Sequence, residues 1–486
     1  MADQSTSSHP APGAARAGNG MTLRRYSTLV AGGAFATTFA QMRILALYPT
    51  TFLLKEHFHL RQEQVAVFFF WATFAWNVKP LAGLLADAFP LFGTRRRHYM
   101  MLGAAFAGVF WILLGASANN YTLLFTFAIA VNVATVFAST VMGGLMVEAG
   151  QAFGAPGRIS SLRQFVQSIS QIIAPLLGGY LAGKAYGLTT GIAAATVIML
   201  AILTFALLRE RPLVAAAPAP GEPPLERPHY RMSSGTIIVG LVLVAAATWL
   251  FNLPDGRNIG VSLFALLGVF ALIILLIFLR TSNAVIVRAQ GQLVQIFQSR
   301  TLWMAAAMLF LVFVVPGLYT ALIYQQTDVL KFSKQFIGSM ASLEAGFGVL
   351  AAVVYGFICR RFNLRTLIIG AVGLNAACTL LYLVYNHQTA PMVHIVTGFT
   401  VIMSELALMD LAVRSTPRGC EALGFALMMS MRNFGIGMSD VLATKLIDQF
   451  HFPFNSLVLV NAGTTAVILL FIPLLPALIV GGRDGD

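Results

Sequence analysis

The chain has 486 residues, of which 58% are hydrophobic and only 10% charged, with a net charge of +13 and a mean hydropathy of +0.79. A water-soluble domain carries ~25% charged residues, so this chain has too little charge to cover a water-facing surface, and a soluble enzyme is excluded. The basic excess is scattered between apolar runs rather than gathered in a patch, so it reads as membrane topology and not as a nucleic-acid footprint.

In chain order, residues 1–25 are rich in Ala, Gly, Ser and Pro and lack the apolar core of a signal peptide, which predicts a disordered cytoplasmic tail. Six apolar stretches follow, at 26–54, 64–86, 98–118, 121–148, 159–184 and 187–208. Backbone groups cannot go unpaired in hydrocarbon, and runs of this length cross it as helices rather than as barrel strands of ~10 residues. Segment 209–234 is dense in Pro with both charge signs, which predicts a linker, and 235–251 and 260–280 predict an inserted helix pair. A second set of six occupies 301–325, 335–359, 365–386, 391–414, 420–446 and 454–480, ahead of a short cytoplasmic tail at 481–486. The expected fold is all-α and membrane-integral, with about fourteen transmembrane helices. Its units are an N-terminal six-helix bundle at 26–208, a linker with the extra pair at 209–300, and a C-terminal bundle at 301–480.

Of the 31 Lys and Arg, 21 fall in the tails and loops on the side of the amino terminus, 7 fall on the opposite side, and Arg43, Lys79 and Arg432 lie inside helices. This asymmetry places both termini in the cytoplasm of a multi-pass protein of the cell membrane, a bacterial inner membrane being the expected one. The 3 cysteines show no paired spacing, so neither a disulfide framework nor a zinc site is indicated. No Gly-rich phosphate loop ends in Lys-Ser/Thr, which argues against an ATP-driven pump. The histidines sit mostly in tails and loops without an i, i+4 pair inside a helix, so no haem, metal or other cofactor is expected.

The most specific segment runs from Trp76 to Tyr99, WNVKPLAGLLADAFPLFGTRRRHY. Its arginines suit a positive-inside turn, but Asp87 calls for a partner. A carboxylate there can face the amino terminus of the helix that begins after Pro417, Arg418 and Gly419, as a latch between the halves. With Asp87, residues Arg95, Arg96, Glu148 and Arg163 make up the candidate gating set at that face. Gly83 to Asp87 is echoed by Gly356 to Arg360 after the second helix of the later set, as a duplicated bundle requires.

The Gly-x-x-x-Asp turn with following arginines is similar to the loop motif of the major facilitator superfamily, and the longer string resembles the folate-biopterin transporter family within it. The resemblance rests on Trp76, Lys79, Pro80, Leu81, Gly83, Asp87, Phe89, Pro90, Phe92, Gly93, Arg96 and Tyr99, and on stretches at Leu47–Val65, Gly157–Gly183 and Pro417–Gly435. It implies alternating-access transport of folate, biopterin or a related heterocyclic anion, with a proton as the coupling ion. One departure stands out: where the family shows two aspartates ahead of a glutamate, this chain has Ser139 and Gly143 and keeps only Glu148.

Charge buried in a bilayer is costly and is therefore expected on faces that line a cavity. Arg43, with Gln41 beside it, lies inside the first helix and has no obvious acid in the first half, which leaves three partners open: an anionic substrate group, backbone carbonyls, or a distant acid. Glu344, Glu405 and Arg432, with Asn433, lie inside later helices. They read either as a structural ion network or as proton-carrying carboxylates with an arginine that pairs and releases. Gln164, Gln167 and Gln171 share one face of the fifth helix, suited equally to a pteridine edge and to helix-to-helix bonds. Pro316-Gly317 predicts a break in mid-helix, with Tyr319 just beyond it as a substrate contact and Tyr324 in an interfacial belt. Two rival functions remain: a facilitator-type transporter for an unrelated metabolite or drug, and a non-transporting assembly or pigment-handling factor. The partners expected are a small organic anion, protons and the lipid bilayer, with no nucleic acid.

Overall fold

The computed structural model describes residues 22–88, 91–92, 94, 96–153, 156–210, 284–417, 421–476 and 480–481. Residues 1–21 and the predicted inserted pair at 235–251 and 260–280 lie outside the described residues. What is described is helical, with one isolated bridge between Leu91 and Thr94 and no strand.

The first half comprises α1 (Leu23–Phe39), α2 (Leu47–Phe52), α3 (Gln62–Ala72), α4 (Lys79–Ala88), α5 (Arg97–Ala116), α6 (Tyr121–Ala152), α7 (Pro156–Leu181) and α8 (Tyr186–Leu207). After α9 (Ala284–Gln298) the second half comprises α10 (Arg300–Val314), α11 (Tyr319–Tyr324), α12 (Lys334–Ile358), α13 (Leu364–Thr379), α14 (Ala390–Ser415), α15 (Glu421–Asp448) and α16 (Phe454–Ile468). Among the described residues, 8 helical stretches are long and apolar enough to cross a membrane. Of the twelve predicted spans outside the inserted pair, the four not among them are 26–54, 64–86, 159–184 and 420–446. The first two are interrupted, and the other two form α7 and α15, which carry several polar side chains. Breaks and polar side chains are what a helix facing an internal cavity needs and a lipid-facing one avoids.

The sequence predicts one broken helix, and the structure has two that match. After α10 the chain leaves helical geometry at 315–318, as Pro316-Gly317 requires, resumes as the six-residue α11 and runs into a π-helical turn at Gln325–Val329. The first span does the same. It breaks at 40–46, resumes as the six-residue α2, and enters a π-helical turn at Leu53–His57. Both π turns end in the same pattern, with Phe58 N donating to Leu53 O and Leu330 N to Gln325 O. Each is followed by a non-glycine residue in the left-handed region, His59 at φ 52° and Lys331 at φ 56°.

Packing follows side-chain size. In the first half α5 lies against α6 and α8, and α1 against α7 and α8; in the second, α12 lies against α14, α13 against α14 and α16, and α10 against α15. The halves meet along α7 with α12 and α3 with α15. The first of these crossings is made by glycines: a Cβ on Gly179 would stand 2.7 Å from Lys334 O, and one on Gly338 would stand 2.6 Å from Pro175 O. The neighbouring Gly178 faces the broken first helix, where a Cβ would lie 2.6 Å from Leu45 O. Small residues let backbones approach where no hydrophobic force drives helices together, so the Gly178-Gly179 pair seats both the break and the opposite half.

Candidate substrate cavity between the halves

The first break opens toward the seam. A cavity of about 200 Å3 lies there, lined by Gln41 and Arg43 from the first break, Trp76 and Asn77 from the 3-10 turn ahead of α4, Asn132 of α6, and Arg432 and Asn433 of α15. Four residues chosen from sequence, Gln41, Arg43, Arg432 and Asn433, are thus brought to one wall although they come from opposite ends of the chain.

Arg43 sits with its guanidinium 5.5 Å from the centre of the Phe69 ring, and its Nη2 is buried with no hydrogen-bond partner. The acid whose charge acts on it is Asp440 of α15, from the other half. Asp440 is itself buried and accepts from Thr320 N at 2.9 Å and from Thr320 Oγ1 at 2.8 Å, which fixes the start of α11. The same stretch of α15 holds the rest of the break: Ser439 Oγ donates to Val315 O at 2.5 Å, and Gly317 N donates to Ser439 O at 3.2 Å. Asn461 of α16 donates to Pro316 O at 2.7 Å. The carbonyl and amide groups freed by the break are therefore met by side chains and backbone of α15 and α16.

Tyr319 opens α11 within electrostatic reach of Arg43, Arg432, Glu405, Glu344 and Asp440, yet is 53% exposed. A tyrosine surrounded by charges from both halves and still half open faces an internal space. Arg432 Nη2 donates to Glu405 Oε1 at 2.6 Å and Nη1 to Asn433 Oδ1 at 3.2 Å, so the arginine takes Glu405 as its partner. Glu344 pairs elsewhere, its Oε2 lying 2.7 Å from His394 Nδ1.

The remaining residues chosen from sequence are not in the cavity wall. Gln167 Nε2 donates to Thr38 Oγ1 at 3.3 Å, which is the helix-to-helix role, while Gln164 and Gln171 are exposed on α7. Asp87 lies in α4 and Glu148 in α6, and their side chains, like Arg95 as a whole, are outside the described residues. Arg96 lays its guanidinium against Gly144 of α6, where a Cβ would stand 2.7 Å from its Cζ. Arg163 lies within electrostatic reach of Lys79, and Lys79 Nζ donates to Ser139 Oγ at 3.1 Å. Ser139 thus takes as a hydroxyl the contact that a carboxylate at this position would take as an ion pair.

At the end remote from the arginine-rich turns the halves are joined by polar contacts. Lys55 pairs with Thr327 and Asp328, and Lys334 Nζ with Glu56 Oε2 at 2.7 Å. Tyr324, expected in an interfacial belt, instead donates to Leu60 O at 2.6 Å. Glu63 N donates to Asp448 Oδ2 at 2.8 Å, and Gln449 Nε2 donates to Glu63 Oε1 at 2.8 Å. Burial raises both the Glu63 and the Asp448 carboxyl above the ordinary carboxylate range. Because these pKa values are raised by closure, this contact is complete below the ordinary range and weakens as pH rises through the raised values. Thiol labelling of a Leu60→Cys protein without its native cysteines is expected to increase from acid to neutral pH, and Glu63→Gln to flatten the rise. Labelling that ignores pH would remove this latch from the gate.

Trp76 and Asn132 were not among the residues chosen from sequence. Trp76 Nε1 donates to Asn132 Oδ1 at 3.0 Å, and Asn132 Nδ2 donates to Ala128 O at 2.9 Å, so the amide holds the indole at the cavity edge. An asparagine in mid-helix within an apolar run is the signal that finds it.

The model of the BT1 family matches residues 41–483. The chain belongs to the BT1 family. This member is 23% identical over 454 residues to the folate-biopterin transporter of Synechocystis sp., covering 89% of this chain and 78% of that one. It is 26% identical over 167 residues to the probable folate-biopterin transporter 4 of Arabidopsis thaliana, covering 33% of this chain and only 34% of the length of that relative. Among solved structures it resembles the nucleoside transporter NupG, with a TM-score of 0.62 at 11% identity, over 93% of this chain and 100% of that one. Family and fold are those of a secondary transporter and not of an enzyme.

Proposed function

We propose that this BT1 family member carries a pteridine-type organic anion, folate, biopterin or a close relative, across a cell inner membrane by alternating access, coupled to protons. The halves act as two six-helix bundles with two further helices between them, fourteen in all. With both termini in the cytoplasm, the Lys55, Lys334 and Glu63 contacts lie on the outer side. Asp87, Arg95, Arg96, Glu148 and Arg163 serve as the inner gate.

The observation that carries this reading is the buried, unpartnered Nη2 of Arg43, set at a helix break in the same cavity wall as Arg432. A guanidinium in that position binds a carboxylate through paired N–H donors. Trp76 offers a flat apolar face to a heterocycle, and Tyr319 a hydroxyl. Interrupted helices in corresponding positions of two repeats are where transporters of this plan hold substrate. Gln164 and Gln171, exposed on α7 outside the cavity wall, are left for a larger substrate to reach, and Glu344 and Glu405 are the carboxylates available for coupling.

One observation favours a different solute. Where the resemblance to the folate-biopterin transporter family implies an aspartate, this chain sets Ser139 against Lys79, so its charge there differs from the family pattern. Purified protein separates the readings. A pteridine at about 100 times its Kd stabilises by about 2.7 kcal/mol, so folate or biopterin is expected to raise the midpoint of thermal unfolding and to compete for uptake into proteoliposomes. Stabilisation by non-pteridine anions alone would replace the substrate class, and stabilisation by no solute would remove the transport reading.

A further inference from the structure

Glu344 does not end a chain of contacts; it begins one. Its Oε2 lies 2.7 Å from His394 Nδ1, His394 Nε2 lies 2.8 Å from Tyr385 Oη, and Gln326 Nε2 donates to Tyr385 Oη at 2.7 Å. The directions are fixed by the ends. A carboxylate only accepts, so His394 Nδ1 carries the proton bonded to Glu344. An amide nitrogen only donates, so Tyr385 Oη accepts from Gln326 and, opposite a neutral imidazole, turns its own hydrogen to His394 Nε2. His394, Tyr385 and Gln326 are buried, while the Glu344 side chain keeps 35% of its surface open.

The far end of this chain meets the outer latch. Gln326 belongs to the π-helical turn Gln325–Val329, the turn that also carries Thr327 and Asp328, the partners of Lys55. π turns inside helices recur at functional sites because they re-aim side chains. Here one turn holds both a contact that joins the halves and the last member of the hydrogen-bonded chain.

We propose that Gln326, Tyr385 and His394 form the outer proton passage to Glu344, opened and shut by the Lys55 latch; this rests on the proton-coupled reading given above. With the latch open, a proton from outer water adds to Tyr385 Oη while the Tyr385 hydrogen passes to His394 Nε2. No net charge remains on the tyrosine, and the imidazolium faces the Glu344 carboxylate as a neutral pair. With the latch shut, the Nδ1 proton passes to Glu344 and leaves through its open face. When the latch reopens, outer water admitted around the imidazole moves the remaining proton from Nε2 to Nδ1, taking one up as it supplies the other. One proton enters and one leaves in each cycle.

The titratable groups around the pair come from each packed element. Tyr48 of α2, Tyr319 of α11, and Tyr382 and Tyr385 lie within electrostatic reach of Glu344. The Tyr382 and Tyr385 rings also pack on the His394 ring, at 6.3 and 5.7 Å between centres. His387 stacks on Phe336 and meets Phe332, which in turn packs on Tyr385. No arginine or lysine is paired with Glu344 among the described residues.

The test uses the full-length protein in proteoliposomes, with labelled folate as the probe. A positioned proton-transfer group contributes on the order of 100-fold, so His394→Gln is expected to reduce gradient-driven accumulation by about that factor while folate counterflow without a gradient is kept. Tyr385→Phe preserves the ring packing and is expected to slow accumulation with counterflow unchanged. Accumulation at the unsubstituted level in both variants, or parallel loss of accumulation and counterflow in both, would overturn the passage. Infrared titration of the Glu344 carboxyl band, assigned by its loss in Glu344→Gln, needs no transport: its midpoint is expected to move in His394→Gln. If the unsubstituted protein shows no gradient-driven uptake but this midpoint still moves, the shared proton stands and the coupling reading alone fails. A midpoint that does not move removes the His394 link itself.

Discussion

An Arg43→Met protein is expected to fold and reach the membrane but to transport its anion about 100-fold more slowly or worse. The size of the effect follows from the site. Removing one member of a buried hydrogen-bonded charge pair costs about 2–5 kcal/mol, and each 1.4 kcal/mol is about tenfold. Arg43 pairs with no acid within bonding distance among the described residues: it faces the Phe69 ring, and Asp440 acts on it only at longer range. The partner it lacks is therefore one that substrate supplies. Methionine keeps the length and apolar bulk of the side chain and Asp440 keeps both bonds to Thr320; the lost charge opposite Asp440 lowers the amount of folded protein, which is why rates are compared at matched amounts in the membrane. Arg43→Lys is expected to recover only a small part, because an ammonium cannot reproduce the planar fork of donors. Transport by Arg43→Met within a few-fold of the unsubstituted protein, measured as initial uptake rate at matched amounts in the membrane, would place the anion elsewhere.

The two helix breaks show what was and was not legible in the sequence. Pro316-Gly317 announces the second break, since proline removes a donor and glycine tolerates the turn that follows. The first break, at 40–46, contains neither residue and reads as an ordinary apolar run. What holds it is tertiary: Gly178 of α7 admits the Leu45 carbonyl, and Gln41 folds back to donate to Thr37 O at 2.7 Å. Residues 47–57 and 319–329 adopt the same sequence of six-residue helix and π turn without sharing one residue type at matched positions. The repeat lives in backbone geometry, and the Gly83 and Gly356 echo is its one visible trace. For the site, the rule that charge inside an apolar helix lines a cavity finds Arg43, Glu344, Glu405 and Arg432. Applied evenly, it also finds Asp440. His394 is harder to see, because a single histidine near the start of a helix gives no spacing to read. Only the approach of α12 and α14 brings Glu344 to it.

Asp440 has two tasks, and two substitutions separate them. Its carboxylate caps the start of α11 through Thr320 N and Oγ1, and its charge is the acid counterpart to Arg43 across the seam. Asp440→Ala removes both. It leaves the Thr320 amide and hydroxyl buried without an acceptor and Arg43 without a compensating charge, for which losses of about 3–5 kcal/mol are typical. Loss of folded protein is therefore expected, seen as a collapse of the monodisperse peak in detergent. Asp440→Asn keeps an oxygen for the Thr320 amide and offers its own amide to the hydroxyl, so α11 stays capped and folded protein is recovered. The charge opposite Arg43 is nevertheless gone. With no competing carboxylate, an anionic substrate is held more tightly by Arg43, and its release becomes the slow step. Asp440→Asn is thus expected to show a lower KM for uptake together with a lower maximal rate, a pattern that a merely structural aspartate does not produce. If Asp440→Asn instead takes up substrate with the KM and maximal rate of the unsubstituted protein, the residue is a cap alone.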